Sequence, residues 1–226
     1  MTDHSLTQPA PTQTPTRAAD IHAQLKDRLL SHRFRMGDIL REEEVASWFG
    51  ASRLPARDAM RQLEHEGLLE RHGRRYRVRL YDYKAVQVTY RMRAALEYLS
   101  VDLAIAHGEP EDFEELARLL EHQKELVEAE DRALFSASDA EFHLALARMG
   151  RNPTLVQELG KLLDRVRLIR SDEIGKDNGP SAAYEDHLRI LHALKRGDAN
   201  TAKAELDYHY DTTVRLHDQS TGPGLS

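Results

Sequence analysis

The stretch from Ala51 to Leu80 constrains this chain more than any other part of it. A helix is expected from Pro55, because proline is tolerated in a first helical turn and Ser52 is placed to cap the free amides before it. Arg53, Arg57 and Arg61 recur every four residues along one face, while Ala59, Met60 and Leu63 give that helix an apolar face. Gly67 ends it. Leu68-Leu69-Glu70-Arg71 and Tyr76-Arg77-Val78-Arg79-Leu80 then read as two short strands around a Gly73-Arg74 turn. Upstream, Ala19 to His32 is amphipathic through Ile21, Leu25 and Leu29. Arg41 to Phe49 reads as a shorter helix, closed by Gly50, with Glu42, Glu43 and Glu44 where carboxylates complement the helix dipole. Two helices, an arginine-lined third and a basic hairpin predict a winged helix-turn-helix.

Charge agrees with that reading. The net charge of −6 conceals a split: residues 1–80 hold fourteen Lys/Arg against eleven Asp/Glu, and the remainder eighteen against twenty-seven. Between Ala51 and Leu80 the balance is eight against four. A cationic module on an acidic body suits double-stranded DNA, because phosphate neutralisation supplies most non-specific affinity. The bland alternative is a solvated charged hairpin. The chain has no cysteine, which excludes disulfides, thiolate zinc sites and a cysteine nucleophile. No apolar run approaches the roughly 18–20 residues of a membrane span. The first eighteen residues, rich in Thr, Pro and Gln, read as a disordered tail and not a signal peptide, so a cytoplasmic protein without membrane contact is expected.

From Asp82 onward no strand signal occurs. Six helices are expected, roughly Asp82–His107, Pro110–Glu130, Arg132–Met149, Pro153–Glu173, Ala182–Arg196 and Asp198–His217. Stop-and-start pairs at Gly108-Glu-Pro110, Gly150-Arg-Asn-Pro153, Gly179-Pro180 and Gly197-Asp198 separate them. Gly175–Ser181 is the one long loop expected inside this body. The expected fold is therefore mainly α: an N-terminal winged helix-turn-helix followed by an antiparallel all-helical bundle of about six helices. The expected division is a disordered tail at 1–18, the DNA-binding domain at 19–80, the helical ligand- and metal-binding domain at 81–218 and a second tail at 219–226.

The segment Ser52-Arg-Leu-Pro-Ala-Arg-Asp-Ala-Met-Arg-Gln-Leu-Glu-His-Glu-Gly-Leu68 resembles the GntR family of bacterial transcription regulators, whose usual string there is close to VSRTPVREALRRLEAEGL. This chain departs at Ala51, Leu54, Ala56 and Asp58 and keeps the arginines. A helical bundle behind such a module resembles the FCD ligand-binding domain of the family's FadR-like branch, and six helices lean toward its shorter, VanR-like variant. By that resemblance Arg53 and Arg57 are the base- and phosphate-contacting arginines, and His72 and Gly73 form the wing tip that enters the minor groove. Arg61, one turn deeper, is expected on phosphate or on a neighbouring helix.

Four polar residues fall on stripes that should face the core. Phe135, Asp139, Phe142 and Leu146 share a face of the third bundle helix, with His143 one turn beyond Asp139. Tyr184, His187, Leu191 and Leu194 share one on the fifth, and Ala202, Leu206, His209, Thr213 and Leu216 one on the sixth. Buried carboxylates and imidazoles need partners. Convergence on one cation would satisfy all four, whereas separate hydrogen-bonded core histidines are the ordinary alternative. The chain holds a single Asp-x-x-x-His, which chance alone would supply. The resemblance adds that metal-binding FCD domains carry such a pair on one helix and a histidine on each of two later helices, the order of Asp139, His143, His187 and His209. Three imidazoles and a carboxylate suit Zn²⁺, Ni²⁺ or another first-row divalent ion and leave positions open. The resemblance further implies a small carboxylate effector there. Arg93, in the family-like Arg93-Ala-Ala-Leu-Glu97, and Arg170 are candidates to hold it, or else to snorkel outward or bridge to Glu97 or Asp164. His65, His107, His122, His192 and His217 read as ordinary histidines.

The function expected is a ligand-responsive transcriptional repressor that binds a palindromic operator as a homodimer and is released by a small organic acid at the metal. One alternative is a metal-dependent hydrolase using the Asp/His site, although Asp139 is then spent as a ligand and Glu141 lies off to the side. Another keeps DNA binding but makes the metal purely structural.

Overall fold

The computed structural model describes residues 17–31, 33–170 and 179–220, with side chains through residue 211. In chain order the elements are α1 (Arg17–Leu30), β1 (Ile39–Leu40), α2 (Glu42–Trp48), α3 (Arg53–Glu66), β2 (Leu69–His72), β3 (Arg75–Val78), α4 (Tyr83–His107), α5 (Pro110–Glu128), α6 (Arg132–Met149), α7 (Pro153–Arg170), α8 (Gly179–Lys195) and α9 (Ala199–Ser220). The chain is mainly helical, a winged helix-turn-helix followed by a helical bundle.

α3 begins at Arg53, two residues before Pro55, and Ser52 stands at its N-cap in extended geometry without a side-chain cap bond. Pro55 is tolerated there because the amides of a first turn have no intrahelical acceptor to lose. Gly67 closes α3 at φ +84°, and the Leu68 amide reaches back 2.9 Å to the Leu63 carbonyl. The sheet has the order β1-β3-β2, antiparallel, with Leu69 opposite Val78 and His72 opposite Arg75. Strand β1 was not expected. It is two residues long, too short for any alternation, and exists because β3 offers it an edge on which Ile39 pairs with Arg77. Both hairpin strands lie nearer the turn than expected: β2 loses Leu68 and gains His72, while β3 gains Arg75 and loses Arg79 and Leu80.

Ile21, Leu25 and Leu29 of α1, Val45 of α2, Met60 and Leu63 of α3, and Leu69, Tyr76 and Val78 of the sheet form one buried cluster. Leu168 of α7 completes it. In the bundle, α4 packs against α6, α7 and α9, while α5 lies on α6 and α8 on α9. The turns are capped by short polar side chains. Asp82 accepts from the Ala85 amide at 2.7 Å, Asp131 from Leu134 at 3.0 Å and Asn152 from Leu155 at 3.1 Å. Among the described residues no helix is long and apolar enough to cross a membrane.

Arg17 and Ala18, expected in a tail, are helical, and α8 starts at Gly179, three residues before the expected Ala182. Residues 1–16 and 221–226, the 175–178 part of the expected loop, the end of the fourth bundle helix beyond Arg170, and the side chains of Thr213, Leu216 and His217 lie outside the described residues.

Candidate functional site

Asp139 and His143 lie one turn apart on α6, His187 on α8 and His209 on α9, all buried. One potential ligand atom from each falls within 4.8 Å of the other three. Ligands of one tetrahedral ion, each about 2.1 Å from it, stand about 3.4 Å apart, so small inward rotations would close this set on a cation.

What surrounds each ring fixes which nitrogen faces the centre. His143 Nδ1 lies 2.6 Å from Glu97 Oε2, His187 Nδ1 2.8 Å from Gln123 Oε1 and His209 Nδ1 3.2 Å from Asp186 Oδ2. The Gln123 amide is oriented by its own Nε2, which donates to the Ser138 carbonyl at 3.1 Å. All three partners are acceptors, so each Nδ1–H donates, and in the neutral rings of His143 and His187 this leaves Nε2 its lone pair. Among the described residues, Nε2 of His143, Nε2 of His187 and Oδ1 of Asp139 are buried without a hydrogen-bond partner, the last two standing 3.6 Å apart. Ordinary core histidines satisfy both nitrogens. Here acceptors turn toward one another, an arrangement that suits a cation. Phe142 stacks on His187 at 4.4 Å and walls the site.

The electrostatics match. Burial lowers the pKa of His143 and, more strongly, of His187, and so favours the neutral rings a metal requires. Burial alone would raise Asp139, but Arg170 and the three histidines pull it well below the usual carboxylate range. Glu97 is likewise pushed up by burial, yet Arg93 and His143 bring it down to about 2.

Arg170 Nη1 stands 3.5 Å from Asp139 Oδ2. Arg93 is 1 % exposed; its Nε donates to Glu97 Oε1 at 2.6 Å, its guanidinium lies over the Tyr210 ring, and its Nη2 has no hydrogen-bond partner among the described residues. Arg93 thus makes the bridge to Glu97 that was the alternative to effector binding, whereas Arg170 faces Asp139, a partner outside the alternatives of Glu97 and Asp164. His65, His107, His122 and His192 are exposed.

Sequence reasoning missed the supporting shell of Gln123 and Asp186, and took Glu97 only as the end of an arginine motif. Gln123 did leave a signal, since it interrupts the apolar stripe Leu116, Leu120, Leu126 of α5. Asp186 left none beyond its place beside His187.

On the winged helix, Arg53 and Arg61 are exposed and Arg57 is half-buried. Arg53 pairs with Glu43 of α2, and Arg57 Nε lies 3.7 Å from Asp58. Such exposed pairs are weak and exchange readily for phosphate. His72 and Gly73 stand exposed at the hairpin tip, with Gly73 at φ +62°, where only glycine turns a two-residue loop cheaply.

The fold defines a class: a winged-helix DNA-binding protein with an all-helical C-terminal domain. Comparison with known proteins is specific. Residues 17–76 match the bacterial regulatory proteins of the gntR family, and residues 88–212 match the FCD domain. The chain belongs to the GntR family and is a transcriptional regulator. It is 31% identical over 198 residues to the "Probable D-xylose utilization operon transcriptional repressor" of Paenarthrobacter nicotinovorans, covering 86% of this chain and 85% of that protein. It is 28% identical to the uncharacterized HTH-type transcriptional regulator YdhC of Bacillus subtilis, with 93% of each chain covered. The solved structure of E. coli McbR/YncC has the same fold, with a TM-score of 0.81 at 22% identity over 92% of this chain and 99% of that one.

Proposed function

We propose that this regulator is a homodimeric repressor whose operator binding responds to a small carboxylate held at a divalent ion in the helical domain. The observation that carries the reading is the inward-facing set of acceptors: three histidines with Nδ1 engaged outward, and Asp139 Oδ1 without a hydrogen-bond partner among the described residues, 3.6 Å from His187 Nε2. Asp139, His143, His187 and His209 would hold the ion, with Zn²⁺ or Ni²⁺ best matched to three imidazoles and one carboxylate. Bound there, the ion supplies open coordination positions for an anionic ligand. Glu97, Gln123 and Asp186 hold the rings in the required tautomer. Arg170 and the free Nη2 of Arg93 supply positive charge for the carboxylate. A hydrolase reading lacks a general base, because Glu141 pairs with Arg148 at 2.8 Å. A purely structural metal would leave Arg93 Nη2 without a purpose.

Arg53 and Arg57 are proposed to read DNA from the N-terminal end of α3, the end that reaches base edges in this motif, with Arg61, His72 and Gly73 contributing phosphate and minor-groove contacts. Replacing Arg53 or Arg57 with alanine should cost about 1–3 kcal/mol of operator discrimination. Gel shifts on the promoter of the regulated operon measure it, and unchanged affinity for both variants would remove this assignment.

One winged helix reads only a short half-site, too little against a genome of competitors. A second copy is proposed to cover the face of α4 on which Val88 (48% exposed), Met92 (51%), Ala95 and Leu99 (44%) recur at heptad-like spacing, an apolar stripe unusual on a monomer surface. Sedimentation at micromolar concentration should give a species near twice 25.8 kDa, and Met92→Glu should shift it toward the monomer. A wild type that sediments only as the monomer contradicts the dimer.

A further inference from the structure

Helix α7 reaches both the buried cluster and the winged helix. Its last residue, Arg170, faces Asp139 at 3.5 Å. Two residues earlier Leu168 is fully buried within the hydrophobic cluster of the winged helix, not that of the bundle. One turn before that, Asp164 Oδ2 meets Lys26 Nζ of α1 at 2.5 Å, and Arg165 Nε donates to the Glu66 carbonyl at 2.8 Å. That carbonyl belongs to the last turn of α3, where helices leave acceptors without intrahelical partners. The Glu66 carboxylate gathers the other side of the contact, with His22 Nε2 at 2.8 Å and Lys26 Nζ at 3.2 Å.

Gly67 shows how close this approach is. A Cβ on it would lie 2.7 Å from Arg165 Nε, so the glycine that ends α3 also makes room for α7. Beside it Tyr81, in the connection to α4, donates to the Gly67 carbonyl at 2.7 Å. The C-terminal end of the recognition helix is therefore gripped from the bundle. The opposite side of α7 is fixed in the bundle through Leu159, Leu163, Val166 and Ile169, all buried.

We propose that α7 is a strut that ties the recognition helix to the buried cluster, and that Asp164, Arg165 and Leu168 are the residues that position the winged helix on the bundle. This rests on the reading of the cluster as a metal centre. A cation shared by Asp139 weakens the pull of that carboxylate on Arg170 and repels the guanidinium. A packed helix transmits such a displacement as a body, because close-packed interiors shift and do not compress. Movement of α7 then re-aims the end of α3 through Arg165 and Asp164.

Hydrogen exchange on the full-length chain, zinc-loaded and chelated, tests the strut. In the wild type, chelation should change the exchange rate in the last two turns of α7, where Arg170 regains Asp139, and with it the rate in α1 and the C-terminal half of α3. In Arg165→Met, Asp164→Asn, and in Lys26→Met from the opposite side of the contact, α7 should still respond while the response of α1 and α3 is lost. Zinc per chain should match the wild type in all three. A winged helix that responds equally in these variants, or that stays still in the wild type while α7 responds, overturns the strut and leaves the metal centre standing. A wild type that takes up neither zinc nor nickel overturns the metal centre, and the strut with it.

Discussion

Replacing Glu97 with leucine should destabilise the helical domain by about 3–5 kcal/mol, the usual consequence of breaking a buried ion pair from one side. Glu97 is fully buried and joins two side chains of the fold: one oxygen takes Arg93 Nε at 2.6 Å, the other His143 Nδ1 at 2.6 Å. Without it the Arg93 guanidinium, 1 % exposed, loses its ion-pair partner among the described residues. Urea unfolding measures the loss. The pair Arg93→Met with Glu97→Leu should recover part of it, because an apolar pair of similar volume replaces the ions without leaving one stranded. A Glu97→Leu protein as stable as wild type, or a double variant less stable than either single one, contradicts this account of the bundle's centre.

Stripping the metal should have the second large effect. An ion bound only by the folded state stabilises it by mass action, by about 4 kcal/mol when it is present at a thousandfold its dissociation constant. For a chain of this size that corresponds to a fall in melting temperature on the order of 10 °C on chelation. His187→Ala should melt low whether or not chelator is present, because its metal affinity is already lost. His122→Ala should behave as wild type, since His122 is exposed on α5. Ordinary core histidines would instead give modest destabilisation in His187→Ala and a wild-type melting curve indifferent to chelator.

Much of this architecture was legible in the chain. Glycine–proline and glycine–aspartate pairs marked the helix ends of the bundle, since those residues act locally through φ and capping. The arginine spacing and Gly67 likewise announced α3 and its end. The inward positions of Asp139, His143 and His187 followed from helical periodicity, because each has apolar neighbours three or four residues away on both sides, and His209 was marked more weakly by Leu206 and Ala202 on its face.

Other features depended on partners distant in sequence. Strand β1 is created by the edge of β3 and has no pattern of its own. Gln123 and Asp186 support histidines on other helices, and their own helices carry many polar residues that simply face solvent. Asp164 and Arg165 look like a solvated face of α7 until α1 and the end of α3 are set against them. The α4 stripe of Val88, Met92 and Leu99 was similarly hidden, because a 25-residue helix packed on three others shows apolar residues on nearly every side.

The central claim is that Asp139, His143, His187 and His209 together bind one divalent ion. Anomalous diffraction from crystals of the purified protein, recorded on both sides of the zinc and nickel absorption edges, tests it most directly. The account predicts one anomalous peak per chain, surrounded by Nε2 of the three histidines and a carboxylate oxygen of Asp139, and its absence from His187→Ala crystals. No peak at this position in metal-supplemented crystals, with the three Nε2 atoms bridged by ordinary water, would contradict it.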